Sequence, residues 1–326
     1  MARVSIVIPT YNRARLLREA VQSALAQTHT DREVIVVDDG STDETADVTA
    51  EFGDAVRYLR QENAGVAAAR NHGASVATGD YLHFLDSDDI LHPQAIARLL
   101  ALMEAHPEAG MAYGQTSMGT PGGPPSPLFV PDGARPAGVC AGARELRRLL
   151  RRNYIHLGAA LLRRSVWERI GGFNPAFQSI CEDWDVWVRA ATAGGAVGYV
   201  PRVVLGYRLQ PDGLTSHYNA RNVDRYLANH RAMLDAAFAA PEMSAELTPH
   251  RAEIEAYHLY LRAWLTFSIG DVAAARRELR AALRLHPGLL LEGRSPEVRT
   301  LWLKLLVPRR LIEAVRARRH ARQAVS

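Results

Sequence analysis

Short apolar runs alternate with amphipathic stretches through the first part of the chain. VSIVI (4–8) and VIVVD (34–38) are rich in β-branched residues, the pattern of strands buried on both faces of a parallel sheet. Between them Leu16, Leu17, Ala20, Val21, Ala24 and Leu25 share one helical face within 15–27. The same reading predicts a helix over 42–52, a strand over 56–59, a helix over 66–77, a strand over 81–85 and a helix over 93–105. Such alternation predicts an α/β fold with an open sheet. Ligands of open sheets bind beyond the carboxyl ends of the strands.

Residues 115–138 are dense in Gly and Pro and predict a surface loop or hairpin insertion. Beyond them the pattern gives a helix over 143–152, a strand over 156–162, a short helix ending at Gly171-Gly172 and a helix over 183–193. Closing strands are expected over 197–201 and 203–209. From Val223 the pattern is helical, which places a domain boundary between 1–222 and 223–326. Within 257–287, Gly270-Asp271, Ala274, Ala275, Leu279, Ala282, Leu283 and Pro287 resemble the second helix of a tetratricopeptide repeat. Only one such unit is present, and solenoids need about three, so a helical hairpin is the plainer expectation.

Composition is that of a globular protein: 326 residues, 48% hydrophobic and 23% charged, which excludes disordered, collagen-like and disulfide-scaffold chains. The net charge of +4 hides an asymmetry, since 251–326 is +8 and 1–250 is −4. Cys140 and Cys181 have no metal-ligand spacing. No 18-residue apolar stretch predicts a membrane span and no secretory leader is recognised, so a cytoplasmic protein is expected.

The residues after the expected strands carry the chemistry. Asp86-Ser87-Asp88-Asp89 sets three carboxylates at a strand end, where they repel unless a cation or donors compensate. Capping of the next helix by Asp88 or Asp89 is the bland alternative. Asp38-Asp39 ends another strand, and adjacency would bring both groups to one crevice. Oxygen ligands favour Mg2+ or Mn2+, bound through carboxylates and substrate phosphates. Asn63, Gly65 and Arg70 open a helix without a G-x-G-x-x-G or P-loop pattern, which speaks against a dinucleotide site or an ATPase. Arg70 is a phosphate contact or a surface charge. Glu182-Asp183-Trp184-Asp185 starts another helix, where Asp183 is an N-cap, a general base, or both.

VSIVIPTYNR (4–13), VVDDGSTDET (36–45), the 63–93 segment, the GGF at 171–173 and EDWDVWVRA (182–190) resemble family 2 glycosyltransferases of the GT-A fold, over roughly residues 3–210. The resemblance implies a GT-A domain over 1–222 with a helical extension, and metal-dependent, inverting transfer from a nucleotide-sugar donor, with a UDP-sugar the common case. It aligns Pro9, Thr10 and Tyr11 with the base and ribose, Asp39 with the base, and Asn63, Gly65 and Arg70 with ribose and phosphates. Asp86, with Ser87 beside it, and Asp88 match the D-x-D motif, Asp86 toward ribose or metal and Asp88 as metal ligand. Asp183 matches the catalytic base, with Glu182 and Trp184 flanking the acceptor. His217, after Tyr207-Arg208, is a candidate further metal ligand.

The acceptor is expected to be a hydroxyl of a glycan, glycolipid or other molecule, a peptide or natural product included. A nucleotidyltransferase and a non-catalytic partner-binding homologue are the alternatives. The basic, amphipathic 308–322 segment is a candidate peripheral membrane contact at the inner face, and the C-terminal helices a candidate homo-oligomer interface. Nucleic acid is not expected, because no reader motif accompanies the basic tail.

Overall fold

The computed structural model describes residues 2–119, 126–129, 137–177, 180–193, 195–209, 220–290 and 296–306. The expected alternation is present as β1 (Val4–Thr10), α1 (Ala14–Leu25), β2 (Arg32–Asp38), α2 (Thr45–Ala50), β3 (Arg57–Arg60), α3 (Val66–Val76) and β4 (Tyr81–Phe84). Next come β5 (Ile90–Leu91), α4 (Ala95–Ala105), β6 (Ala109–Gly119), β7 (Ser126–Phe129), β8 (Gly138–Ala141) and α5 (Gly142–Leu149). β9 (Ala160–Arg163), α6 (Arg164–Ile170), α7 (Glu182–Ala193) and β10 (Ala196–Arg208) complete the sheet region.

The sheet runs β3-β2-β1-β4-β9-β6-β10-β5, with β7 beside β6 and β8 beside β10. β1 pairs in parallel with both β2 and β4. β9 is antiparallel to β4 and to β6, so the sheet is mixed. Two expectations change. β2 and β4 are not neighbours: β1 lies between them and carries one acidic group on each side. The two closing strands are one, β10, with bulges near Val200 and Val203. The expected insertion is in part a hairpin, β7 pairing antiparallel with β6.

All seven residues of β1 are buried, which explains its unbroken apolar run. One core joins Ile6 and Ile8 of β1 to Leu17 and Val21 of α1 and to Leu99 and Met103 of α4. On another part of β1, α3 approaches so closely that a Cβ on Gly73 would stand 2.4 Å from Val7 Cγ1.

The C-terminal helices are α8 (Ala220–Ala239), α9 (Pro241–Leu247), α10 (Arg251–Ser268), α11 (Val272–Leu285) and α12 (Pro296–Leu306). The chain divides into two compact units, 1–216 with 233–244, and 217–232 with 245–326. The second has its own core, where Tyr257 and Ala263 of α10 meet Ala275, Leu279 and Ala282 of α11 and Leu301 and Leu305 of α12. Asp271 caps α11 by accepting from Ala274 N at 2.9 Å. No described helix is long and apolar enough to cross a membrane.

Candidate functional site

The loops after β1 and β2 are stitched together by their own polar side chains. Asn12 sits at φ 51, a left-handed conformation that Asn tolerates. There its N–H donates to Ser41 Oγ at 2.9 Å, and its Oδ1 accepts from Thr42 N at 2.8 Å. Asp38 accepts from Ser41 N at 2.7 Å and from Tyr58 Oη at 2.6 Å. Asp39 accepts from Gln61 Nε2 at 2.8 Å and from the N–H groups of Ala64 and Gly65, both at 2.9 Å. Asp39 therefore fixes the turn that opens α3, where Gly65 adopts φ 88. Above this platform Tyr11 is exposed, while Thr10 Oγ1 is buried and has no hydrogen-bond partner. Pro9 lies in β1 beside Val37, and Asn63 is exposed.

Beyond β4, ligand atoms of Asp86, Asp88 and Asp89 lie within 4.8 Å of one another, the one such cluster among the described residues. Ser87 between them is buried. Neither Asp88 nor Asp89 caps α4, whose N-cap is Gln94. Instead Asp89 Oδ1 accepts from Arg208 N at 3.1 Å, and the Arg208 guanidinium donates to the Asp88 carbonyl, to Glu19 at 2.6 Å and to the Leu16 carbonyl at 3.1 Å. Burial, then repulsion by Asp86, raises the Asp88 carboxyl above its ordinary range. Burial raises Asp89 further, with Asp86 and Asp88 adding to it. An all-oxygen set held against this repulsion fits a hard divalent cation such as Mg2+ or Mn2+.

Arg70 joins this cluster to the second acidic motif. Its side chain is only 4% exposed, which removes the surface-charge alternative. It donates to Asp86 Oδ1 at 2.6 Å and to Glu182 Oε1 at 2.9 Å, and its guanidinium lies 5.1 Å from the centre of the Phe173 ring. Burial alone would lower its pKa, but Asp86 and Glu182 outweigh that and hold it above its usual value. Asn71 grips the GGF turn: its Oδ1 accepts from Phe173 N at 2.9 Å and its Nδ2 donates to Phe173 O at 2.8 Å. Gly172, at φ 79, has no room for a Cβ, which would stand 2.7 Å from Asn71 Oδ1.

Asp183 lies in the first turn of α7, next to Glu182. Burial, reinforced by the Glu182 charge, pushes its carboxyl up to about 7. The residue as a whole is half-buried, and the upward direction follows from burial first and from the adjacent Glu182 carboxylate second. Its Oδ1 accepts from Trp184 N at 2.7 Å and its Oδ2 from Asn153 Nδ2 at 3.1 Å. Trp184 itself is 2% exposed and its indole donates to Leu149 O at 2.7 Å, so it offers an acceptor no surface.

The structure thus gathers Arg70, Asp86, Ser87, Asp88, Glu182 and Asp183 around one buried guanidinium, with Thr10, Tyr11, Asp39, Asn63 and Gly65 around the β1 and β2 ends. His217 lies outside the described residues, as do 210–219 as a whole and the 307–326 tail. Sequence reasoning left Asp89 open between capping and the acidic cluster and passed over Asn153. Asp89 was visible as the third acid of the cluster. Asn153 had no local signal, since its partner is 30 residues away.

An open mixed sheet with this acidic crevice is the GT-A class of fold. Residues 1–349 of S. aureus TarS, solved with UDP-GlcNAc, superpose over 88% of this chain and 91% of that one, with TM-score 0.62 at 16% identity. A mannosyltransferase from Pyrobaculum calidifontis, solved with GDP-Man and Mn2+, covers 94% of this chain and 85% of its own, with TM-score 0.58 at 23% identity. The family model for Glycosyl transferase family 2 matches residues 5–171, and the chain belongs to that family. An uncharacterized glycosyltransferase of Rickettsia felis is 35% identical over 57% of this chain, which spans only 31% of that relative's length. A PGL/p-HBAD biosynthesis glycosyltransferase of Mycobacterium bovis is 33% identical over 65% of this chain and 78% of its own.

Proposed function

We propose that the protein is a metal-dependent, inverting glycosyltransferase. Its donor is a nucleotide sugar, with a UDP-sugar as first choice, and its acceptor is a hydroxyl of a glycan, glycolipid or related molecule. The observation that carries this reading is the Arg70 bridge. It sets the Asp86-Asp88-Asp89 cluster beside a recessed carboxyl that titrates near neutrality. Donor phosphates are expected over the cluster and the α3 opening at Asn63 and Gly65. Base and ribose are expected along Pro9, Thr10, Tyr11 and Asp39, where the Thr10 hydroxyl lacks a protein partner. Mn2+ or Mg2+ bound by Asp86 and Asp88, with Asp89 beside them and His217 a further candidate, would neutralise charge on the diphosphate leaving group.

Asp183 takes the acceptor proton as the acceptor oxygen bonds to the anomeric carbon. The bond to the nucleoside diphosphate breaks on the opposite side, and configuration inverts. Glu182 is committed to Arg70 and keeps that guanidinium in register; it is the remaining candidate beside the acceptor, Trp184 being buried. The basic 308–326 segment is proposed as a membrane contact that brings the enzyme to a lipid-borne acceptor.

Thermal shift with UDP, GDP, dTDP and CMP sugars, with and without Mn2+, tests the donor. One nucleotide should stabilise the fold in a Mn2+-dependent way. Asp88→Ala should lose that increment; an increment unchanged by the substitution or by EDTA contradicts the metal assignment. Asp183→Asn should keep donor binding and lose transfer by about 10²–10⁴-fold. Turnover near that of the wild type removes Asp183 from its role.

A further inference from the structure

The link between α5 and β9 passes directly behind Asp183, and its geometry is fixed by α7. Trp184 donates its indole N–H to Leu149 O at 2.7 Å, at one end of that link. Trp187 donates to Ile155 O at 3.1 Å, midway along it. The two indoles are buried, so each bond is made away from water and is costly to break. Between these anchors lies Asn153. Its Oδ1 accepts from Ile155 N at 3.2 Å, two residues on, which is the local turn Asn favours. That bond decides which way the amide faces, because the carbonyl end is occupied by a donor. The NH2 end is left facing Asp183, and it donates to Oδ2 at 3.1 Å.

Each oxygen of Asp183 therefore carries one fixed N–H donor, Trp184 N on Oδ1 and Asn153 Nδ2 on Oδ2. The carboxylate torsion of an aspartate is otherwise broad. With both oxygens pinned, the plane of the group is set, and so is the direction of its remaining lone pairs. A hydrogen bond to the ionised form also favours that form. Among the described residues, Glu182 on the same helix opposes ionisation of Asp183, and Arg70 on α3 favours it. Glu145 of the neighbouring α5 is turned away, toward Tyr113, Tyr154 and Arg148.

We propose that Asn153 is the positioning residue of the general base: its amide, held by Ile155 N, orients the Asp183 carboxylate and favours the proton-accepting form. This rests on the reading of Asp183 as the base, and it extends the site to the α5–β9 link, which carries none of the recognised acidic motifs.

The test reads the titration of Asp183 through stability, without a substrate. An unfolded aspartate titrates near 3.8, and Asp183 in the fold near 7. Below the unfolded value both states are protonated, and the contribution of the raised pKa is fully present. It is lost as pH climbs through the folded pKa. Asp183→Asn has no such titration. The melting-temperature difference between it and the wild type thus opens across that window, and its upper edge marks the folded pKa.

The same difference is measured in an Asn153→Ser background. Serine retains an oxygen for the Ile155 N–H but is too short to reach Asp183, so the local turn is preserved. The upper edge should move to higher pH by about one unit, because a bond to the carboxylate is gone. With a stabilising donor identified, the rising limb of kcat should move in the same direction, with KM for donor unchanged. Asn153→Ala gives a second variant with the same expectation. An edge that stays at its wild-type pH in both variants overturns the proposal. If Asp183→Asn itself transfers sugar normally, it is the base assignment that fails, whatever the Asn153 variants do.

Discussion

Arg70 has to satisfy two carboxylates from opposite sides of the site. A guanidinium can do this, because its fork offers separate N–H groups to Asp86 and Glu182 in one plane. An ammonium is a point charge and cannot hold both distances. Removing the arginine leaves Glu182 a buried charge with its partner gone. Breaking a buried pair in this way costs about 3–5 kcal/mol. Urea unfolding of Arg70→Ala should show a loss of that order, with Arg70→Lys recovering only part of it. A loss under about 1 kcal/mol would mean that the bridge is not held in solution. Asp86, Asp88 and Asp183 were legible in the sequence because like charges crowd into a few residues, and crowding needs an explanation. Trp184 and Asn153 were not, for a common reason. Which way a side chain points, and what it meets across 30 residues of chain, is set by packing and leaves no local pattern.

The elements that were legible are those in which pattern and burial agree. β1, α1, β2, α3 and β4 read directly from apolar runs and one helical face. β6 was missed although it is central and largely buried, because AGMAYGQTSMG has the small and polar residues of a loop. The order of the strands was not legible either. Alternation gives the elements, but the placement of β1 between β2 and β4 is topology. That placement makes β1 the surface on which α3 must settle, and Gly73 is where it settles. A Cβ there would meet Val7 Cγ1 at 2.4 Å and Val37 Cγ2 at 3.0 Å, both on β-branched side chains with little freedom. Gly→Ala within a helix ordinarily gains about 1 kcal/mol. Overpacking of this kind costs about 1–3 kcal/mol and also displaces α3, which carries Arg70. Gly73→Ala should therefore lower the urea midpoint and weaken donor-induced stabilisation together. A variant more stable than wild type would show that the helix–strand contact is looser than described.

At the scale of the whole molecule, charge is divided by region: the slightly acidic 1–250 part contains the described carboxylates of the site, and 251–326 holds a +8 excess. Six arginines fall within 308–326 against one acid, Glu313. The residues just before that stretch give a second reason to place it at a lipid surface. α12 exposes Trp302, Leu303 and Leu306, while Val298, Leu301 and Leu305 fill the core of the helical unit. Exposed large apolar side chains ahead of a run of arginines are the two components of interfacial binding, one inserted and the other held by anionic headgroups. Each basic residue near such a surface contributes about 1 kcal/mol, and salt screens the attraction. The full chain should therefore float with vesicles containing phosphatidylserine or phosphatidylglycerol and not with phosphatidylcholine alone, and added salt should weaken the association. Deleting 308–326 should abolish flotation, and Leu303→Gln with Leu306→Gln should reduce it while leaving the charge attraction in place. Donor-induced stabilisation should be unchanged in both variants, since the proposed donor and metal residues, His217 included, all lie before residue 218. Equal recovery of full-length and truncated protein with anionic vesicles would refute a membrane role for the tail.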